Sequence, residues 1–485
     1  MFKTGDLVVK KLSAKNGKII FIIAGVQLLL SLVLGAQLFF MDILPAIYIL
    51  LYVLVMLLVF IMTILAGKKK WSRILMIIFS GCLSTVLVYG SVALGKVNRT
   101  LEEVTSKGEE TKTEMVIVVL SDSKAEEVTD LSQFLIAYMQ TEEEANVSPV
   151  MEEINENVGG EVSFHAFEDV LEMVDALRAK TVNAVIMNRA YMDVITDSEG
   201  YADFSDETKI IYSYEIIDYI SLVDEKESNL EQFVVYISGI DVWGHVSVKS
   251  RSDVNILAVV NTQTKQIQLI NTPRDYYIDM PMGEGAKDKL THAGIYGVET
   301  SISALESLYG IQIDYYVRMN FSGYEKIIDS LGGIDVYSEY DFTVEPIKHY
   351  VKGMNHLTGL EALAFARERH AFAAGDIQRG KNQMAVITAM MDKLMSPELL
   401  YNYTGVLDAV EDSFQTNLTS EDIYTLVKQQ LADPGKWSIE TYSVTGLNGS
   451  ETTYTHPNSK AYVMLPKESD IQEAKEKIIA VLEAQ

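Results

Sequence analysis

The sequence predicts an α/β protein with a membrane anchor: three transmembrane helices, then a small α/β domain, then a larger layered α/β domain. Three apolar runs of more than twenty residues lie near the N-terminus of the 485-residue chain. Strand and helix patterns alternate through the remainder, and turn residues separate them. A chain of this length has room for two or three domains beyond its membrane segments.

The three apolar runs are Ile19 to Met41, Ile43 to Gly67 and Ile74 to Leu94, and none contains a charged residue. The N-terminal tail carries five lysines and the second connection three lysines and an arginine, whereas the first connection offers only Asp42. Basic flanks stay in the cytosol. We therefore expect a cytoplasmic tail at 1–18, transmembrane helices within 19–95, and everything after about Lys96 outside the cell.

The charge divides in the same way. Residues 1–100 hold eleven Lys or Arg and two Asp, a net of +9, and since the whole chain carries −27, the other 385 residues carry −36. An outer portion this acidic is not expected to bind nucleic acid. The only cysteine, Cys82, lies in the third apolar run and has no disulfide partner, and the seven histidines show no zinc-binding spacing.

Residues 96–112 are polar and are predicted to form a linker or a helical stalk. Residues 113–228 are predicted to form a small α/β accessory domain, in which we find no catalytic constellation. Its predicted elements are a strand at Met115–Leu120, a helical stretch at Glu126–Gln140, a helix near Phe167–Lys180 and a strand at Ala184–Met187.

Residues 229–485 are predicted to form the larger, catalytic domain. A strand at Phe233–Ile240 delivers Asp241 at its end, and strands at 254–261 and 266–271 are expected to pair around a turn. Pairing centred on that turn would place Asp253 opposite Arg274. The pair is either a functional rim or an ordinary cross-strand ion pair. Further helices are expected near 298–308, 322–331, 384–394, 420–431 and 471–482, and further strands near 313–319, 334–337, 438–444 and 461–465.

The stretch Phe365 to Gln383 concentrates Arg367, Arg369, Arg379 and Lys381 in an otherwise acidic domain. We predict that Arg367 and Arg369 are extended and point to one side. Asp376 is predicted to cap a helix that carries Arg379 and Gln383 near its start. Guanidinium groups beside a helix N-terminus favour a phosphate ligand. The alternative is ion pairing with surplus carboxylates on a solvated face.

The same stretch contains a sequence close to a nucleotide-binding P-loop. Gly375 to Lys381 has the spacing G-x-x-x-x-G-K, but Asn382 stands where the magnesium-binding Ser or Thr belongs, and no apolar strand precedes it. We therefore reject a nucleotide site here.

Four ordered segments, 252–261, 271–275, 289–293 and 365–383, together resemble the LytR-CpsA-Psr family, which attaches cell-wall glycopolymers to peptidoglycan in Gram-positive bacteria. Three spans and an accessory domain before the catalytic domain make the layout similar to that of CpsA-type capsule members. The resemblance implies an α/β/α sandwich with a central mixed sheet, a hydrophobic pocket for a polyprenyl chain, and a multi-pass bacterial membrane protein with extracytoplasmic domains.

The resemblance also implies site residues. Asp241 and Asp253 would hold Mg²⁺, or alternatively Mn²⁺. The diphosphate would be bound by Arg274, Arg367, Arg369 and Arg379. Many family members carry a second arginine where this chain has Asn382, so that phosphate contact is either missing or supplied by Lys381. The implied catalytic residues are Arg274, Asp253, Arg367 and Arg369, and the implied substrate-binding residues are Arg379, Gln383, Lys289, Arg251 and Asp275.

The implied reaction transfers a glycan with one phosphate from a polyprenyl-diphosphate carrier to a peptidoglycan hydroxyl, and capsular polysaccharide is the expected polymer. Capsule-synthesis membrane proteins are expected as further partners. Asp253 and Asp275 both remain candidates for the general base. Two other functions stay open: a hydrolase that uses water as the acceptor, and a non-enzymatic membrane regulator of capsule synthesis.

Overall fold

A computed structural model of the chain describes residues 3–66, 70–106, 110–140, 144–158, 162–219, 229–240, 245–283, 285–395, 406 and 414–484. Internal packing divides the chain into two units. The first comprises Met1–Thr105 with Leu418–Lys436, and the second comprises Ser106–Asn417 with Trp437–Gln485. A segment near the C-terminus therefore belongs to the same unit as the apolar helices.

The helices of the described residues are α1 (Lys3–Phe40), α2 (Ala46–Ala66), α3 (Lys70–Ser106), α4 (Glu144–Val158), α5 (Val170–Arg178), α6 (Tyr191–Thr196), α7 (Phe204–Glu207), α8 (Leu290–Ala293), α9 (Val298–Tyr309), α10 (Phe321–Ser330), α11 (Gly359–Arg367), α12 (Asp376–Leu394), α13 (Ser420–Ala432) and α14 (Glu468–Leu482).

The strands are β1 (Glu110–Leu120), β2 (Leu135–Met139), β3 (Ser163–Phe167), β4 (Ala184–Asn188), β5 (Thr208–Tyr219), β6 (Gln232–Ile240), β7 (Ser252–Asn261), β8 (Gln266–Asn271), β9 (Tyr277–Asp279), β10 (Lys287–Lys289), β11 (Tyr315–Asn320), β12 (Ile334–Ser338), β13 (Phe342–Val344), β14 (Lys348–Tyr350), β15 (Gly353–Leu357), β16 (Phe414–Thr416), β17 (Ser438–Ser443), β18 (Gly446–Thr452) and β19 (Lys460–Pro466).

The first unit contains three helices that are long and apolar enough to cross a membrane, within α1, α2 and α3. A buried polar group joins them: Gln27 Oε1 accepts hydrogen bonds from Ser80 Oγ at 3.0 Å and from Thr63 Oγ1 at 3.4 Å. Hydrogen bonds of this kind hold helices together in lipid, where the hydrophobic effect does not. Helix α3 continues to Ser106 as a helical stalk.

The accessory domain has a five-stranded sheet in the order β3-β2-β4-β1-β5 with helices on both faces. The helix predicted at Glu126–Gln140 is wrong: Val128–Leu131 forms only a 3-10 turn, and Leu135–Met139 is the parallel strand β2. Gln133 has a positive φ of 70°, which interrupts any helix there, and burial of Ile136 and Ala137 favours the sheet.

The catalytic domain is built on a mixed six-stranded sheet in the order β16-β11-β6-β7-β8-β17. Strands β6, β7 and β8 form an antiparallel meander, whereas β11 runs parallel to β6 and β17 parallel to β8. Helices α9 and α14 cover one face, and α12 packs across β7, β8 and β17 on the other. The predicted α/β/α sandwich with a central mixed sheet is thus confirmed.

The accessory and catalytic domains share packing and polar contacts within the second unit. Ile295 of the catalytic domain is buried in the accessory core. Tyr191 and Tyr296 lie with their hydroxyls 2.7 Å apart, and Lys249 Nζ lies 3.2 Å from Asp218 Oδ2. The accessory domain is therefore held against the catalytic domain rather than attached only by the chain.

The β7–β8 hairpin has the predicted register. Asn261 pairs with Gln266 and Ile256 with Asn271. Extending the same register places Asp253 opposite Arg274, and their side chains do form an ion pair. The turn is fixed by Asn261 Oδ1, which accepts from the backbone N–H groups of residues 263 and 264.

The arginine-rich stretch differs from its prediction at two points. Arg367 is not extended: it is the last residue of α11, which begins with a capping box between Thr358 and Glu361. Asp376 does not cap α12, because Gly375, with φ of 51°, is the N-cap and Asp376 is the first helical residue. The side chains of Arg367 and Asp376 therefore project from helical backbone, which differs from the prediction.

Candidate active site

The first half of the site is the ion pair at the open end of the hairpin. Arg274 Nη1 donates to Asp253 Oδ1 at 3.1 Å and to Oδ2 at 3.0 Å, and the side chains are only 12% and 15% exposed. Thr291 Oγ1 adds a hydrogen bond to Asp253 at 3.2 Å. Burial alone would raise the pKa of Asp253, but the charges of Arg274, Arg251 and Arg379 outweigh it and hold that pKa below its ordinary value.

A second carboxylate, Asp275, lies on the other side of Arg274. Its Oδ2 is 3.8 Å from Arg274 Nε, and its Oδ1 is 3.4 Å from Lys289 Nζ. The backbone fixes this arrangement, since Thr291 N–H donates to the carbonyl of Arg274 at 2.8 Å and Lys289 pairs with Tyr277 across β9 and β10. The structure thus brings three of the predicted site residues together: Asp275 lies beside Arg274, and Lys289 lies beside Asp275.

The other half of the site comes from α12. A methyl group placed on Gly380 would lie 2.3 Å from Asn271 Nδ2, so this glycine allows the helix to approach the end of β8 closely. The approach brings Arg379 into the site, where it is 8% exposed and paired with Asp376. Burial lowers the pKa of Arg379, the carboxylate of Asp376 opposes that shift, and Arg274 adds to it. The guanidinium groups of Arg274 and Arg379 are therefore close enough for their positive charges to repel each other.

Asp376 is a site residue that the sequence analysis missed, because an acidic residue at a helix start was interpreted as a cap. Burial raises its pKa; the charge of Arg379 opposes this shift, and that of Asp275 adds to it. The arginine three residues later, one helical turn away, was the available signal for an ion pair. Asp376 combines a side chain that is only 19% exposed with a raised pKa, which is typical of a proton-accepting group.

Gln383 lies one turn beyond Arg379 on α12 and is 7% exposed. Asn382 is also buried, and it donates to the carbonyl of Phe365 at 3.2 Å and accepts from Gln378 at 3.1 Å. Lys381 is exposed, and its Nζ lies 3.8 Å from Glu339. Asn382 therefore connects α12 to α11, and Lys381 lies near Glu339.

Arg367 and Arg369 lie at the edge of this cluster. Arg367 is exposed, and its guanidinium carbon lies 4.3 Å from the centre of the Phe321 ring. Arg369 is half-buried, and its charge contributes to the lowered pKa of Arg379. Arg369 is thus near enough to act with Arg379, whereas Arg367 contacts an aromatic face.

Arg251 connects the site to the accessory domain. It is buried, it pairs with Asp197, and its Nη2 lies 3.8 Å from Asp193 Oδ2. Asp193 lies in the first turn of α6, and Asp197 directly follows the last residue of that helix. Its charge also helps to lower the pKa of Asp253. The other predicted metal ligand, Asp241, lies outside the described residues. Among the residues that are described, no group of three or more His, Cys, Asp or Glu side chains forms a metal cluster.

Comparison with known proteins identifies the family to which the chain belongs. The LytR_cpsA_psr family matches residues 196–478, more than half of the chain. The chain is 34% identical over 204 residues to the polyisoprenyl-teichoic acid–peptidoglycan teichoic acid transferase TagU of Bacillus cereus, a match covering 42% of this chain and 66% of TagU. It is 29% identical over 265 residues to TagU of Enterococcus faecalis, covering 53% and 84%.

Two solved structures are also similar. Bacillus subtilis TagV is 25% identical with a TM-score of 0.45, covering 53% of this chain and 100% of TagV. TagT bound to LI-WTA is 27% identical with a TM-score of 0.43, covering 54% and 95%. The predicted family and transferase class are confirmed by the family match and the relatives. This chain belongs to the LytR-CpsA-Psr family.

Proposed function

We propose that the chain transfers a glycopolymer from a polyprenyl-diphosphate carrier to a hydroxyl of peptidoglycan. The acceptor oxygen forms a bond to the sugar-proximal phosphorus, and the bond from that phosphorus to the bridging oxygen breaks. The electron pair leaves with polyprenyl monophosphate, and the hydroxyl proton passes to a carboxylate. The relatives named above act on polyisoprenyl-linked teichoic acid and peptidoglycan, which supports this class of donor and acceptor.

The observation that carries the proposal is the buried pairing of Arg274 with Asp253 and of Arg379 with Asp376. Two guanidinium groups are held in place before any ligand binds, in surroundings that exclude most water. Negative charge grows on the equatorial oxygens during phosphoryl transfer, and donors fixed in advance stabilise that charge most effectively. Lys289 and Arg369 extend the cationic surface.

The general base is a second part of the proposal. The cationic neighbours of Asp253 lower its pKa, so it holds a proton poorly. Asp376 has the raised pKa that a proton acceptor needs. We therefore assign the role to Asp376 in preference to Asp253, with Asp275, beside Lys289, as the remaining candidate.

A divalent cation, Mg²⁺ or Mn²⁺, is part of the proposal. Asp253 fits such an ion as an ionised oxygen ligand, and Asp241 would be its partner. Magnesium is commonly held by one or two carboxylates, with substrate phosphates and water completing the coordination. When bound, the ion would neutralise charge on the diphosphate.

The finer identity of the polymer is also proposed. Three membrane helices and an accessory domain before the catalytic domain resemble the CpsA layout, and we propose capsular polysaccharide as the polymer and capsule-synthesis membrane proteins as partners. The teichoic acid named for the relatives is the competing polymer.

The test uses the full-length protein in lipid nanodiscs with Mg²⁺, peptidoglycan fragments, and polyprenyl-diphosphate oligosaccharides of capsular or teichoic type. We expect a phosphodiester-linked conjugate with the wild type, lost with Arg274→Ala and on chelation of the metal. Arg189→Ala is the matched control, since Arg189 is an exposed accessory-domain arginine paired with Glu114. Free glycan phosphate without conjugate would establish the hydrolase, and lipid binding without turnover would favour the regulator.

A further inference from the structure

Helix α13 is held in the first unit by three polar contacts at one-turn intervals, two to the stalk at the end of α3 and one to the connection between α1 and α2. Ser420 Oγ lies 3.2 Å from Thr105 Oγ1, and Tyr424 donates to Asn98 Oδ1 at 2.9 Å. Lys428 Nζ donates to both carboxylate oxygens of Asp42, at 2.8 and 2.7 Å. The larger remainder of the chain after the spans belongs to the other unit, so α13 is a returning segment.

These contacts fix the direction of the helix. From Thr105 to Asn98 the stalk descends seven residues towards its apolar portion, about 10 Å at the rise of an α-helix. From Ser420 to Lys428, α13 advances eight residues, about 12 Å. The two helices are therefore antiparallel, and the C-terminal turn of α13 is the end that faces the apolar segments.

Asp42 shows where that end lies relative to lipid. It stands in the short connection between α1, which ends at Phe40, and α2, which begins at Ala46. Phe40 is 83% exposed. A charged residue between two spanning helices must lie at the membrane–water interface. Lys428 is bound to Asp42, so it lies at the same interface.

Two apolar side chains project from this end of α13. Val427 is 37% exposed and Leu431 is 39% exposed, and they are one turn apart on the helix. Scattered exposed apolar residues are ordinary on protein surfaces. These two differ in that the Lys428–Asp42 contact holds them at the level of the lipid surface, where burial in acyl chains is favourable.

We infer that α13 is an interfacial docking helix, whose last turn inserts Val427 and Leu431 into the lipid leaflet adjoining Asp42. The partner is the lipid bilayer, because Lys428 on the same turn binds Asp42, which joins two helices long and apolar enough to cross it. The chain enters α13 from β16 and leaves it to β17, which are the two edge strands of the catalytic sheet. The helix thereby adds a second membrane attachment to the catalytic domain, independent of the transferase proposal.

The test measures lipid immersion along α13 in the full-length protein. A Cys82→Ser background removes the only cysteine, and nitroxide labels are placed at Leu431→Cys and, as the matched control, at Glu421→Cys on the exposed stalk end. In phosphatidylglycerol-containing vesicles, we expect the label at 431 to collide preferentially with oxygen, and the label at 421 with a water-soluble nickel complex. Equal access of both labels to nickel would overturn the inference.

A second measurement tests the anchor. Asp42→Asn and Lys428→Met retain the shapes of the side chains but remove the ion pair. We expect each to reduce the immersion of the label at 431, and the double variant to reduce it no further, because the two residues act through one contact. Unchanged immersion in both single variants would show that the Lys428–Asp42 contact does not position the helix, and would overturn the argument.

Discussion

The buried and exposed arginines of the site differ in what holds them. Arg274 and Arg379 are largely enclosed and each is paired with an aspartate, so their positions are determined by the protein. Arg367 is exposed and stacks on Phe321, and Arg369 is half-buried near a histidine. The difference indicates two roles. The buried pair is positioned to stabilise the transition state, whereas the outer pair is positioned to bind the ligand.

The largest effect is expected from Arg379→Ala. It removes a fixed donor and leaves Asp376 buried without its partner, so we expect the transfer rate to fall about 10³-fold with a smaller change in KM. The measurement is steady-state formation of the conjugate. A loss no larger than that of Arg367→Ala would show that burial does not separate the two classes.

The next effect is expected from Asp376→Asn. The raised pKa of Asp376 means that the wild-type rate should rise with pH through a value above 3.8, the ordinary value, as the carboxylate ionises. The variant should be about 10²-fold slower and lose that limb of the profile of kcat/KM against pH. A limb retained in Asp376→Asn and lost in Asp275→Asn would transfer the role to Asp275.

The same group links pH to stability with a definite sign. Because the folded-state pKa of Asp376 is raised, its contribution to stability is fully present below the unfolded pKa and is lost as pH rises through the folded pKa. The lowered pKa of Asp253 has the opposite effect: its contribution is present above the unfolded pKa and lost as pH falls through the folded pKa.

A smaller effect is expected from the accessory domain. Asp197→Asn keeps the shape of the side chain but removes the charge paired with Arg251. We expect about a fivefold loss of catalytic efficiency, equivalent to about 1 kcal/mol, because Arg251 also acts on Asp253. Asp218→Asn is the control, since Asp218 also pairs across the two domains, but with Lys249 and not with Arg251. Equal effects of both variants would indicate only a loss of domain packing.

The smallest effect is expected from Arg367→Ala. An exposed cation on an aromatic face contributes about 0.5–1 kcal/mol, so KM should rise roughly two- to fivefold while kcat changes little. Initial rates over a range of lipid-donor concentrations would measure both constants. A large loss in kcat would place Arg367 with the buried arginines.

The sequence predicted those parts of the site that depend on local pattern. The Asp253–Arg274 pair followed from counting residues across one hairpin, because antiparallel pairing converts sequence distance into position. The conformation of Arg367 was mispredicted, since the Thr358 and Glu361 cap begins a helix that extends to it. Propensity alone did not reveal this.

Contacts between distant segments were beyond the sequence. Arg251 and Asp197 are 54 positions apart and meet only because two domains pack together. The burial that raises the pKa of Asp376 depends on the approach of α12 to β8 at Gly380. No residue spacing in the sequence predicts that α12 approaches β8, or that Asp376 becomes largely buried as a result.

The placement of α13 has a consequence for the order in which the molecule is made. Its residues leave the ribosome only after most of the catalytic domain, yet they complete a unit whose first helices were synthesised at the start. Attachment of α13 to the stalk is therefore a late event in biogenesis. A chain truncated before Leu418 keeps all three spans but lacks the segment that completes their unit.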